Sequence, residues 1–167
     1  MTESIYSIRP AEFKDAEAIF RLIKSSPEEL IPRAISDIVQ NIDRCIVAEA
    51  DGEVIGTLSW QVLPEIGAAS EQHVIEIKSV AVNTEHRHKG IGRSLVEAGV
   101  ERTRPLHMSQ IIVLTFTPDF FRTLGFKEVP KETLMHKIYM GCINCTKYDS
   151  PFTCPEVAMA LDVSAEV

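Results

Sequence analysis

The stretch that most constrains this chain is Arg87-His88-Lys89-Gly90-Ile91-Gly92. It lies between an apolar strand pattern over residues 74–82 and a helical pattern that carries Leu95, Val96 and Val100. A strand that becomes a helix through two glycines fixes an α/β step at this point. Glycine lets the backbone turn tightly and come close to a ligand, and the free N–H groups of a helix start point at whatever lies in front of them. Arg87, His88 and Lys89 add positive charge, which suits the turn to an anion. Strand–glycine–helix turns also occur in α/β proteins without any ligand, so six residues alone leave both readings standing. A P-loop would end in Gly-Lys-Ser/Thr and a dinucleotide loop would read G-x-G-x-x-G; the sequence has neither.

The flanking patterns predict the rest of the sheet. Tyr6-Ser7-Ile8-Arg9 reads as a short strand, and Phe13, Ala16, Ile19, Phe20 and Ile23 recur at helical spacing. Ile35, Ile38, Val39 and Ile42 predict a second helix whose apolar stripe faces a sheet. Residues 45–50 and 54–63, joined by Asp51-Gly52, read as a hairpin. In the strand over 74–82, Ile75 and Ile77 fall on one face, Glu76 and Lys78 on the other. Ile111-Ile112-Val113-Leu114 reads as a buried strand, Pro118 opens a short helix through Leu124, and Gly125 caps it. A last strand is expected within residues 134–140.

With 167 residues, 45% of them hydrophobic and 25% charged, the chain fits one soluble domain. A net charge of −7 argues against nonspecific nucleic-acid binding and favours small-molecule or protein partners. No apolar run has the length of a membrane span. The first residues lack a signal peptide's basic and apolar regions, so the expected location is the cytoplasm, with reduced thiols.

Three motifs in order make the chain resemble the GNAT superfamily of N-acetyltransferases. They are Ile8-Arg9-Pro10-Ala11 with Asp15, then Ser79-Val80-Ala81-Val82 followed by Arg87 to Gly92 as R-x-x-G-x-G, and then Phe120-Phe121-Arg122-Thr123-Leu124-Gly125-Phe126. The resemblance covers roughly residues 5–140 and implies an α/β (α+β) fold, a mixed central sheet flanked by helices. It implies that this sheet is antiparallel at its start and splayed where the strands over 74–82 and 111–115 meet CoA. It also implies acetyl-CoA as cosubstrate. The pyrophosphate would be held by backbone N–H groups of Arg87, His88, Lys89, Gly90 and Gly92, with Arg93 and Ser94 at the helix start. The pantetheine would run beside Val80 and Val82 and reach Phe121.

Within the superfamily the chain is most similar to short single-domain amino-acid acetyltransferases of the N-acetylglutamate synthase type. Leu30-Ile31-Pro32-Arg33, Glu76, Leu114-Thr115 and the tail with Cys142, Cys145, Cys154 and Glu156 carry that likeness. It implies direct transfer of acetyl to the α-amine of L-glutamate, the opening step of arginine biosynthesis. It also gives Glu76 the place of a carboxylate base, against the alternative that Glu76 pairs with Lys78. A dicarboxylate needs cations to recognise it, and Arg33, then Lys78, then Lys137 are the candidates, each also readable as an ordinary paired or exposed cation. Arg9 is read as a support of the first strand. Where the superfamily usually carries an acidic Tyr, this chain has Phe121, which cannot donate a proton. The thiolate would then leave directly or be protonated by Tyr139 or a water, and Phe120 and Phe121 read equally as core packing.

The segment over 141–167 changes character and is expected to be a Cys-containing tail packed on a domain of residues 1–140. Cys142-x-x-Cys145, Cys154 and His136 could close a tetrahedral zinc site; reduced buried thiols are the other reading. Cys45 is read as core. Pairing of two copies is a family expectation. The competing functions are acetylation of another amine (a polyamine, a drug or a protein N-terminus) and a noncatalytic acyl-CoA sensor.

Overall fold

The computed structural model describes residues 5–63, 73–134 and 154–164. Its strands are β1 (Ser7–Pro10), β2 (Cys45–Ala50), β3 (Glu53–Leu63), β4 (Val74–Val82), β5 (Gln110–Thr115), β6 (Lys127–Glu128) and β7 (Val157–Asp162). Its α-helices are α1 (Ala16–Lys24), α2 (Ile35–Gln40), α3 (Ile91–Thr103) and α4 (Pro118–Arg122). The strands form one seven-stranded mixed sheet in the order β1-β2-β3-β4-β5-β7-β6, so the mixed α/β class holds. No described helix is long and apolar enough to cross a membrane.

Two units divide the chain. The first comprises Met1–Trp60 and Ile77–Arg102. Here β1 and β2 pair antiparallel from Ser7↔Glu49 to Pro10↔Ile46, and β2 and β3 pair antiparallel across Asp51-Gly52. Positive φ at both turn residues, 51° and 79°, gives the turn whose twist suits a two-residue hairpin. One face of these strands is covered by α1 and α2, where Ala16, Ile19, Ile23, Ile38 and Ile42 bury against Cys45 and Val47. The expected stripe on α2 is narrower than its spacing suggests. Ile38 and Ile42 are buried, but Ile35 and Val39 are 47% and 40% exposed. The α-helix stops at Gln40 and a 3-10 turn follows, so the periodicity does not last long enough to turn all four residues inward.

The opposite face receives α3. A Cβ on Gly99 would stand 2.9 Å from Leu58 Cδ2, so glycine is what lets α3 lie this close to β3.

The second unit comprises Gln61–Glu76 and Thr103–Val167. Parallel pairing of β4 with β5 runs from Val74↔Gln110 to Glu76↔Ile112. β7 lies antiparallel to both neighbours, pairing with β5 from Gln110↔Asp162 to Thr115↔Val157 and with β6 at Lys127↔Ala160 and Glu128↔Met159. The core of this unit contains Leu63, Val74, Ile112, Leu134, Ala158 and Ala160. Sequence patterning anticipates no strand at Val157–Asp162; its registry with β5 is a long-range pairing. The strand expected within 134–140 falls, after Leu134, outside the described residues.

Candidate functional site

The turn between β4 and α3 has the backbone that its glycines suggest. His88 has φ 62° and Gly90 φ 83°, both left-handed, and Gly90 is exposed with nothing within 4 Å of where a Cβ would stand. The Gly90 carbonyl accepts the Ser94 N–H at 3.0 Å, which opens α3, and the N–H groups of the helix's first turn precede any intrahelical acceptor. Alternating left-handed residues in front of a helix start make a concave set of N–H groups, and exposed His88 and Lys89 flank it. Such a set of N–H groups suits an anion.

Arg87 plays a different part from the one its charge suggests. Its Nη2 donates to Ser26 Oγ at 2.8 Å, its Nε to the Val82 carbonyl at 3.3 Å, and its Nη1 faces Glu29 Oε1 at 3.4 Å. The side chain therefore braces the turn against the residues that follow α1. Ser94 Oγ shares a 2.7 Å hydrogen bond with the Tyr6 hydroxyl, and Arg93 pairs along the helix with Glu97.

Beside β4, two of the proposed substrate cations come together. Arg33 and Lys78 line one small cavity of roughly 20 Å³, about the room one water needs, with Asp37, Asn41, Ser59 and Ser79 over an apolar floor of Ile19, Ile23 and Ile38. The Arg33 Nε is buried with no hydrogen-bond partner among the described residues. Ser79 has φ 56°, which interrupts the in–out alternation of β4, and Ser59 Oγ donates to the Lys78 carbonyl at 3.1 Å beside that interruption. Asn41 is held by its own helix, with Nδ2 donating to the Asp37 carbonyl at 2.9 Å. Cys45 also lines the cavity; burial pushes its thiol up to about 11, so it is a neutral wall, as expected of a core cysteine. Sequence reasoning did not single out Asp37, Asn41, Ser59 or a special backbone at Ser79. The one signal available was the position of Ser79 at the head of the Ser79-Val80-Ala81-Val82 motif.

In the second unit Glu76, 2% exposed, sits at the last residue of the parallel β4–β5 pairing. A carboxylate this buried in a sheet is uncommon outside functional sites. Phe121, 3% exposed, packs edge-to-face on Phe120 at 5.0 Å and on Phe126 at 5.4 Å. Lys137, His136, Tyr139, Cys142 and Cys145 lie outside the described residues. Among the described residues no three His, Cys, Asp or Glu gather as a metal site. The half-buried Cys154 thiol donates to Glu156 Oε1 at 3.7 Å, and burial pushes its pKa up.

A larger open groove borders α1 and the β2–β3 turn, and three of its charged residues, Arg9, Asp15 and Glu49, pair with one another. Arg9 holds Asp15 and Glu49, so it supports the first strand as its position suggests.

Comparison with known proteins adds the following. The model of the acetyltransferase (GNAT) family matches residues 4–126. An uncharacterized N-acetyltransferase of Chlorobaculum tepidum is 34% identical over 154 residues, 91% of this chain and 93% of that protein. The amino-acid acetyltransferase of Vibrio atlanticus is 28% identical over 134 residues, 78% of this chain; the chain spans only 29% of that relative's length. Among solved structures, Rv2747 from Mycobacterium tuberculosis in complex with CoA and NLQ has a TM-score of 0.76 at 25% identity, over 94% of this chain and 99% of that one. N-acetylglutamate synthase from Neisseria gonorrhoeae, complexed with coenzyme A and N-acetyl-glutamate, has a TM-score of 0.75 at 20% identity, over 96% of this chain and 36% of that one, a likeness of fold.

Proposed function

The chain belongs to the acetyltransferase (GNAT) family, and from that premise we propose that it transfers acetyl from acetyl-CoA directly to the α-amino group of L-glutamate, the opening step of arginine biosynthesis. The observation that carries the substrate is the shared cavity lined by Arg33 and Lys78, with the Arg33 Nε buried and without an acceptor among the described residues. A buried guanidinium N–H without an acceptor favours a carboxylate, because burial without an acceptor is costly and a charged hydrogen bond recovers that cost. The match to amino-acid acetyltransferases and the fold likeness to N-acetylglutamate synthase support the same reading.

In this reading the cradle over residues 88–92 takes the pyrophosphate of acetyl-CoA, the Arg87 N–H being given to the Thr84 carbonyl at 3.5 Å, with the thioester arm along Val80 and Val82. Glu76 takes the proton of the substrate ammonium, directly or through a water, and the freed amine attacks the thioester carbonyl. Collapse of the tetrahedral intermediate breaks the C–S bond and releases CoA as the thiolate, while the nitrogen gives its second proton to water or to that thiolate and the amide is left. Phe121 has no proton to give, so that thiolate is protonated by water or leaves as the anion.

The test is release of CoA thiol from acetyl-CoA with L-glutamate as the only amine. Glutamate-dependent release supports the reading. Acetyl-CoA binding without release for glutamate, but with release for a polyamine or a peptide N-terminus, assigns another amine; binding without release for any amine assigns a sensor.

A further inference from the structure

We propose that Arg87, the first residue of the anion turn, is a positioning residue for the amine substrate, acting through the chain segment that carries Arg33. The inference rests on the reading above and deepens it. Arg87 Nη2 donates to the hydroxyl of Ser26, which is 3% exposed, at 2.8 Å. The Ser26 carbonyl in turn accepts the backbone N–H groups of Glu29 at 3.1 Å and Leu30 at 3.0 Å, so Ser26 is the base of the turn from which the chain runs on to Arg33. Leu30 packs on the α1–α2 core and supplies the apolar anchor of this segment; Arg87 supplies the polar one. A third bond, from Arg87 Nε to the Val82 carbonyl, ties the same guanidinium to the end of β4.

Three of the five guanidinium donors are thus committed to protein acceptors. Arg33 depends on this bracing because its buried Nε has no partner of its own among the described residues, so its place is set by the backbone that carries it. The bond to Ser26 outranks the one to Glu29. A charged donor on a buried hydroxyl at 2.8 Å is strong, whereas the Glu29 pair is exposed, longer and screened.

The experiment compares wild type, Arg87→Met, Ser26→Ala and the double variant. It measures acetyl-CoA affinity by calorimetry, KM and kcat for glutamate, and amide hydrogen exchange over residues 26–33. The expected result is a rise of about tenfold in glutamate KM in each single variant, with acetyl-CoA affinity and kcat of Ser26→Ala within about threefold of wild type. The double variant should add little to either single one, because both remove the same bond. Arg87→Lys should recover part of the KM, since one donor can still reach Ser26. A loss of acetyl-CoA affinity with unchanged glutamate KM overturns the proposal and assigns the Arg87 charge to the anion. If Arg87→Met does not fold, Ser26→Ala carries the same comparison. Absence of glutamate turnover in wild type contradicts the functional reading instead, and exchange then decides the bracing. Faster exchange at residues 26–33 in the variants supports it; unchanged exchange overturns it.

Discussion

Arg9 grips Asp15 through both carboxylate oxygens, Nη1 to Oδ2 at 2.8 Å and Nη2 to Oδ1 at 3.0 Å, while Asp15 Oδ2 also accepts the Glu12 N–H at 2.7 Å. The guanidinium, with that backbone N–H, holds the Asp15 carboxyl below its usual range against the opposing effect of burial. A depressed carboxylate stabilises the fold above the unfolded value, near ~3.9, and the contribution is lost as pH falls through the folded value. Asp15→Asn is therefore expected to cost about 2 kcal/mol at pH 7 by chemical denaturation, since Arg9 keeps Glu49 as a partner. The gap from wild type should narrow below about pH 4; a gap independent of pH would contradict this account.

Gly90 tests the cradle. At φ 83° with open space around it, a side chain there clashes with nothing, and its cost is conformational. Gly90→Val should lower acetyl-CoA affinity by tenfold or more in calorimetry, since a strained β-branched residue moves the turn out of its left-handed form. Undiminished affinity would remove the turn from the acetyl-CoA site.

Glu76→Gln keeps shape and removes the base. It should lower kcat by about 10²- to 10⁴-fold and leave acetyl-CoA affinity unchanged. Full activity in this variant would leave Glu76 a buried sheet residue without a part in proton transfer.

The two cations of the small cavity should act on the substrate and not on the cofactor. Arg33→Met and Lys78→Met are each expected to raise glutamate KM by about tenfold or more, at constant acetyl-CoA affinity. Equal loss for glutamate and for an amine without a carboxylate would contradict their role in recognition.

What could be read from the sequence was local. The hairpin at Asp51-Gly52, the extent of β4 and the glycine turn before α3 each follow from neighbours within a few residues, where periodicity and turn chemistry act. What could not be read depends on partners far along the chain. Arg87 looks like an anion ligand until its bond to Ser26, 61 residues earlier, is seen. β7 carries no turn signal that would tie it to β5, yet it pairs there over six residues. Ser79 looks like an ordinary strand residue, and only its positive φ shows that β4 breaks alternation beside the Arg33–Lys78 cavity. The fold class was legible because it rests on the order of local patterns; the bracing of the site was not, because it rests on tertiary hydrogen bonds.

The central claim is the amine. The most direct measurement incubates the protein with acetyl-CoA and an equimolar mixture of the common amino acids, spermidine and an aminoglycoside, and identifies the acetylated products by mass spectrometry. The account predicts N-acetyl-L-glutamate as the dominant product, formed in step with free CoA. Acetylation of a different amine with glutamate left unmodified would contradict it.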